Sequence, residues 1–396
     1  MPLILLESLA RFLRLIFRTY VPGRGRPRAS VRRLLVMSVF IPCFALIQGI
    51  QWIGLLLDEI LFPAYRRVAI REPLFVLGVP RSGTTHLHHV LARDPQYTTF
   101  STWECLFALS ISARRFWLAI ARLDARLGRP LAHLLGWMET HVFGTLEAVH
   151  PMRLGDPEED YFALMPVLAC FILILPFPNS DFLWRMGTFD RDMPEAERAR
   201  LMDFYHRCLQ RHLYVHGPDK RLLSKNAAFA PLAGALAGRF PDARFILCLR
   251  EPERTLPSQL SSIASGIAFF DSLSATPNLG ERLTGQLGFY YRNLQAVFAE
   301  MPDNRRAWVT METLKAGLED AIEQIHGQLE LEPGVGFRSE LRRQEAKSRD
   351  YRSRHQYRLE PYGLSLGPVD EELGFIYAAL AARSIQSRPD SPSRRS

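Results

Sequence analysis

The chain opens on two long apolar patterns. Over residues 3–18 (LILLESLARFLRLIFR), leucine, isoleucine and phenylalanine recur at helical spacing, with Arg11, Arg14 and Arg18 beside them. This predicts an interfacial helix, apolar on one face and cationic on the other. A basic, breaker-rich linker follows. Residues 34–57 then run without a charge, long enough for the roughly 30 Å core of a bilayer. Pro42, Gln48, Gln51 and Gly54 interrupt the run, and Arg32, Arg33, Arg66 and Arg67 flank it. A membrane-surface or re-entrant segment is expected here in preference to a true span; an apolar helix packed on the domain is the competing reading.

Beyond residue 70 the period changes. Leu74 to Gly78 is apolar, bounded by Pro73, and reads as a buried strand. Further strands are predicted at 97–102, 221–225, 244–250 and 306–311. Helices are predicted at 105–127, 129–138, 194–216, 229–239, from about 251, at 282–300 and at 312–330. Residues 161–178 are apolar but broken by Pro166, Pro176 and Pro178, which suggests a hydrophobic cover over a pocket or a buried core segment. Strands alternating with helices indicate an α/β fold, a mainly parallel sheet flanked by helices, with an apolar N-terminal helical extension. The expected organisation is a membrane-associated region over 1–70, a main domain over 71–386 and a disordered tail over 387–396. A fragment starting near Arg71 is expected to keep the main domain's chemistry.

A formal charge of +8 and a pI near 9.4 favour anionic partners. The arginines are spread through the chain rather than clustered with aromatics, which argues against nucleic acid. The five cysteines form no CxxC pair and no metal-ligand spacing with histidine, so no metal is expected and a reducing compartment is favoured. Lysine is rare: Lys220, Lys225, Lys315 and Lys347 are the full set, which draws attention to each.

Between the first strand and the helix starting at Thr84 lies Gly78-Val-Pro-Arg81-Ser82-Gly83-Thr84-Thr85. Glycines at this spacing let backbone N–H groups approach a phosphate above a helix N-terminus. Thr84 stands where a nucleotide-triphosphate loop carries Lys, and Arg81 sits inside the loop instead, which counts against a kinase. The form Pro-Arg-Ser-Gly-Thr-Thr resembles the 5′-phosphosulfate loop of sulfotransferases that use 3′-phosphoadenosine 5′-phosphosulfate (PAPS). Three further stretches are similar to that family, in particular to its bacterial branch with long N-termini and to the tyrosylprotein sulfotransferases. They are Leu223-Ser-Lys225-Asn226, Arg250 with Ser258 eight residues on, and Val309-Thr-Met-Glu-Thr-Leu314, which departs at Met and Thr from the family's Y-E-D-L form. The resemblance spans residues 74–314.

It implies that Arg81, Ser82, Gly83, Thr84 and Thr85 hold the 5′-phosphosulfate, that Arg250 and Ser258 clamp the 3′-phosphate, with Ser262 one turn beyond as a lesser candidate, and that Arg81 and Lys225 meet at the bridging oxygen. Such positions suit the chemistry, because the leaving phosphate gathers negative charge. The acceptor hydroxyl also needs a base. Glu104, just past the second strand, lies where the tyrosylprotein enzymes place theirs and is favoured. His150 matches the cytosolic enzymes in residue type alone, and Glu158, Glu159 and Asp160 are the remaining candidates. The mixed cations and aromatics at 348–357 resemble a segment that folds over the nucleotide; a solvated loop is the alternative. The expected activity is sulfuryl transfer from PAPS, without a metal, to a hydroxylated and apolar or lipid-like acceptor, on the cytoplasmic side of the inner membrane. The rivals are a P-loop small-molecule kinase and a catalytically idle nucleotide-binding protein at the membrane.

Overall fold

A computed structural model describes residues 1–21, 23, 26–28, 30–138, 154–348, 373 and 376. His150 and the charged segment from 349 onward lie outside the described residues. Five strands form one sheet: β1 (Leu74–Gly78), β2 (Tyr97–Thr98), β3 (Arg221–Asn226), β4 (Arg244–Leu249) and β5 (Arg306–Thr310), in the order β2-β3-β1-β4-β5. Each strand pairing is parallel. All five residues of β1 are buried, which is why that strand reads as a continuous apolar run. Because β1 lies between β3 and β4, the chain crosses to opposite sides of it, and the crevice at the strand C-termini is the natural ligand site.

Helices α1 (Pro2–Tyr20) and α2 (Val31–Leu61) precede the sheet, and α3 (Thr84–Leu91) follows β1. Between β2 and β3 lie α4 (Thr102–Phe107), α5 (Ile111–Arg126), α6 (Pro130–Met138), α7 (Asp181–Met186), α8 (Phe189–Asp192) and α9 (Glu195–His216). Then come α10 (Ala233–Arg239) after β3, α11 (Pro252–Phe269) and α12 (Leu279–Ala299) after β4, and α13 (Met311–Ala316), α14 (Leu318–Gln328) and α15 (Phe337–Ser348) after β5. The second strand is shorter than its apolar pattern suggested. Ser101 and Glu104 form a capping box that starts α4 at Thr102, and a helix N-terminus cannot continue a ladder. The single helix expected over 105–127 is two, because Ser110 caps α5 by accepting from Ala113 N at 3.1 Å. Residues 161–178 form short 3-10 turns, with Ala163, Val167 and Cys170 fully enclosed. They are core rather than a cover over a pocket.

The N-terminal helices are built into the same core. Met37 and Leu55 of α2 have no exposed surface and share one apolar cluster with Phe75 and Leu77 of β1. Polar side chains pin α2 along its length. Arg33 donates to Phe270 O at 3.0 Å. Gln51 donates to Cys105 O and accepts from Leu109 N, both at 3.2 Å, and Trp52 Nε1 donates to Pro166 O at 3.0 Å. Asp58 accepts from Ile111 N at 2.7 Å and pairs with Arg211 Nε at 3.1 Å. At 1.5 Å per residue this 31-residue helix is about 46 Å long. It is long and apolar enough to cross a membrane, yet it runs unbroken through Pro42 and does not re-enter.

Gly54 faces Ser110. A Cβ there would fall 2.2 Å from Ser110 Oγ, which is already committed to capping α5. Gly54→Leu is therefore expected to destabilise the protein by about 1–3 kcal/mol, read as a lower denaturant midpoint. A helix free of the domain would instead gain about 0.5–1 kcal/mol from losing a mid-helix glycine, as Gly54→Ala would test. A fragment starting near Arg71 strips one side of the core and is expected to aggregate on expression, contrary to the expectation from sequence.

Candidate active site

The loop after β1 is shaped by close approach. A Cβ on Gly78 would sit 2.5 Å from Cys248 O and 2.7 Å from Ser82 Oγ, so only glycine lets the end of β1 lie against β4. Ser82 Oγ donates to Val79 O at 2.7 Å, tightening the turn. Arg81 and Gly83 both take left-handed backbone, with φ of +68° and +95°. Such turns aim successive N–H groups at one concavity, and the first N–H groups of α3 have no helical acceptor. Their partial positive charge adds to that of Arg81, whose side chain is exposed. Left-handed backbone costs a non-glycine residue roughly 1–2 kcal/mol. Arg250 supports it from β4, donating Nη1 to Arg81 O at 2.6 Å. The Met311 sulfur of α13 lies 3.2 Å from where a Cβ of Gly83 would be, so the late strand–helix segment backs the loop.

Three strand ends converge here. Lys225 of β3 is in register with Val76 and Asn226 with Leu77, while Cys248 of β4 is in register with Gly78, two residues before Arg250. Lys225 is buried and ion-paired with Glu159. Ser258, in the second turn of α11, is 2% exposed, and its Oγ has no hydrogen-bond partner among the described residues. Arg250 Nε is likewise buried and unpartnered, while its carbonyl accepts from the Tyr291 hydroxyl. A buried hydroxyl and a buried guanidinium N–H left unsatisfied are costly alone and suit an anion between them. Ser262 is exposed.

The acidic loop that carries Glu158, Glu159 and Asp160 is stapled to the start of α4. Glu158 N donates to Phe100 O at 2.9 Å, Thr102 N to Asp156 O at 3.1 Å and Trp103 N to Leu154 O at 3.0 Å. Asp160 anchors its other end. It has no exposed surface and accepts from Tyr205 at 2.5 Å, from Ser224 at 2.9 Å and from Asn226. Burial pushes its carboxyl up to about 6, against the opposing effect of those three donors. Two of the donors belong to β3, so Asp160 holds the loop against the strand that carries Lys225. Nearby, burial lowers the imidazole pKa of His88 and His89, with Lys225 adding to the effect and Asp156 opposing it at His89.

Glu104 stands elsewhere. It is 2% exposed, and its carboxylate accepts from Ser101 N at 2.9 Å and from His216 Nε2 at 2.5 Å, with Arg114 Nε at 3.3 Å. Burial alone would raise its carboxyl, but Arg114 and the two histidines of α9, His212 and His216, hold it well below the usual carboxylate range. Among the described residues, none of its hydrogen bonds or ion pairs reaches the Gly78–Gly83 loop or Lys225. An ionised carboxylate saturated with donors is a poor proton acceptor, and here Glu104, the position favoured from sequence, ties α4 to α5 and α9. The ligand atoms of Glu104, His212 and His216 lie within 4.8 Å of one another; the buried Arg114 already supplies the positive charge a metal would bring. Glu159, one of three adjacent carboxylates with no spacing to single it out, is the group the fold brings to Lys225. The roles of Asp160 and Tyr291 carried no sequence signal, because both act through residues distant in the chain.

The model of the sulfotransferase family matches residues 73–333, from the residue before β1 to the approach to α15. No curated protein matches the chain. Among solved structures, the sulfotransferase STF1 from Mycobacterium tuberculosis H37Rv aligns with a TM-score of 0.66 at 19% identity, covering 93% of this chain and 92% of that one. The sulfotransferase STF9 from Mycobacterium avium aligns at 0.65 and 18% identity, covering 80% and 79%. At such identities these likenesses speak for the fold, a parallel sheet flanked by helices, while the family match spans β1 to β5 and every strand end that builds the crevice. The chain belongs to the sulfotransferase family.

Proposed function

We propose that the chain transfers a sulfuryl group from PAPS to a hydroxyl on an apolar or lipid-like acceptor, working at the cytoplasmic face of a membrane. The observation that carries the donor assignment is the pair of unpartnered buried groups, Ser258 Oγ and Arg250 Nε, beside a loop of left-handed turns. The sulfotransferase family generally uses PAPS. Arg250 and Ser258 would take the 3′-phosphate, the N–H groups and side chains of Ser82, Gly83, Thr84 and Thr85 the 5′ group. In the transfer, the acceptor oxygen bonds to sulfur as the bond from sulfur to the bridging phosphate oxygen breaks, and the acceptor's proton passes to Glu159. Lys225 and Arg81 stabilise the charge left on the phosphate. Glu159 replaces Glu104 in this reading because it lies against Lys225. The mechanism requires no metal and no covalent enzyme intermediate. A kinase reading lacks the lysine that Thr84 displaces, and an idle nucleotide-binding protein would bind the 3′,5′-bisphosphate without turnover of labelled PAPS.

Ser258→Ala removes a hydroxyl that bonds nothing among the described residues, so the melting temperature should hold. Binding of adenosine 3′,5′-bisphosphate should weaken by about tenfold or more, while adenosine 5′-phosphosulfate, which lacks the 3′-phosphate, should bind unchanged. Arg250→Ala should weaken both nucleotides, since it also frees the Arg81 carbonyl. Calorimetry with the two ligands separates the cases; an unchanged bisphosphate affinity in Ser258→Ala would remove that residue from the site.

The two carboxylates are separable in the same way. Glu159→Gln should lower kcat about 10²–10⁴-fold with the bisphosphate affinity nearly intact. Glu104→Gln leaves Arg114 buried without its counter-charge and should cost about 3–5 kcal/mol of stability, with kcat per folded molecule close to normal. The reverse order in single-turnover assays would return the base to Glu104.

A further inference from the structure

The helices α1, α2, α5 and α6 turn apolar side chains outward, and α1, α2 and α5 hold polar or charged ones inward beside their apolar contacts with the core. On α1 the inward positions include Ser8, Arg11 and Thr19, while Leu6, Leu13 and Phe17 are exposed. On α2 the inward face carries Arg33, Gln51 and Asp58 among the apolar Met37, Ile41, Phe44, Trp52 and Leu55, while Leu35, Val39, Leu46 and Ile53 face out. On α5 the buried Arg114 and Asp124 oppose exposed Phe116, Trp117 and Leu123, and α6 continues the pattern with Leu134 and Trp137. These helices pack in series, α1 on α2, α2 on α5 and α5 on α6. Of the 30 large apolar side chains exposed among the described residues, 26 lie within residues 3–61 or 116–137, so the apolar surface is one face rather than a scatter. A helix on a solvated surface keeps its outer face polar, and an apolar face of this extent marks an interaction site.

We propose that this face inserts into one leaflet of an anionic bilayer, with α2 lying in the membrane plane and not crossing it. Charge identifies the occupant. The four carboxylates of these segments among the described residues, Glu7, Asp58, Glu59 and Asp124, are all turned inward and bonded to protein, as Glu7 is to Arg200 and Asp124 to Leu131 N. Arg14, Arg32, Arg115, Arg122, Arg126 and Arg129 are exposed. Apolar side chains with cations and no free carboxylate fit lipid tails beneath anionic headgroups. A second copy of the chain would set these arginines against their own kind. The inward pins argue against a span: Gln51 and Trp52 within the apolar run, and Arg33 and Asp58 at its ends, all bond to the domain, and a crossing would break those bonds.

The inference deepens the membrane contact proposed above, but its test needs no turnover. Full-length protein is mixed with phosphatidylcholine vesicles, with or without phosphatidylglycerol, and floated on a density gradient. Flotation with the anionic vesicles is expected, and Ile53→Glu with Phe116→Glu should weaken it at least about tenfold while circular dichroism and melting temperature hold, since both side chains are exposed. An N-terminal tag should stay open to protease added outside sealed vesicles. Failure to float with any vesicle, whether the protein is monomeric or self-associated by light scattering, overturns the proposal, and protection of the tag overturns in-plane docking.

Discussion

The pairing of Lys225 with Glu159 at the strand ends depends on one buried carboxylate that accepts three hydrogen bonds. Asp160 takes donors from Tyr205 of α9 and from Ser224 and Asn226 of β3, while the carbonyl oxygen of the Asn226 side chain accepts from Tyr161 N at 3.2 Å. This closed network fixes the acidic loop to the strand that carries Lys225, and the ion pair of Lys225 with Glu159 follows from it. Without a counter-charge of its own, Asp160 is stable in apolar surroundings only because every donor is aimed at it. The network thus specifies one register between loop and sheet, where apolar packing alone would allow several.

Much of this architecture was legible in the sequence. Alternating apolar runs and helical periods gave the parallel sheet, and the glycine spacing placed the loop between β1 and α3. Lys225 and Arg250 could be placed at one edge from sequence because they lie at or just past the ends of β3 and β4, and in a parallel sheet all strand C-termini share one edge. The surroundings of Glu104 were not legible in the sequence, for a physical reason. Its proximity to β2 in sequence was visible, but not the arrival of Arg114 from α5 and His216 from α9, which turn a candidate base into a structural anion. Glu159 needed the opposite information, a contact with a lysine 66 residues away.

The N-terminal region shows how a hydrophobicity pattern misleads when both faces of a helix are occupied. A run without charge reads as a membrane segment whether it spans, lies flat or packs on protein. What separates these outcomes is the destination of the few polar residues within and beside the run, and Gln51, Arg33 and Asp58 all go to the domain. Gln51, read from sequence as an interruption of a membrane segment, and Arg33, read as its flank, are among the residues that dock it.

Arg250 joins the two ends of the nucleotide crevice. One nitrogen of its guanidinium holds the Arg81 carbonyl, keeping the loop in its left-handed turn, while another remains available. The loop is therefore preorganised by the same side chain that, in the proposed reading, would take the ligand's far phosphate. Its ordering entropy is met during folding rather than at each encounter, so binding draws on contacts already in place, and release needs no collapse of the loop.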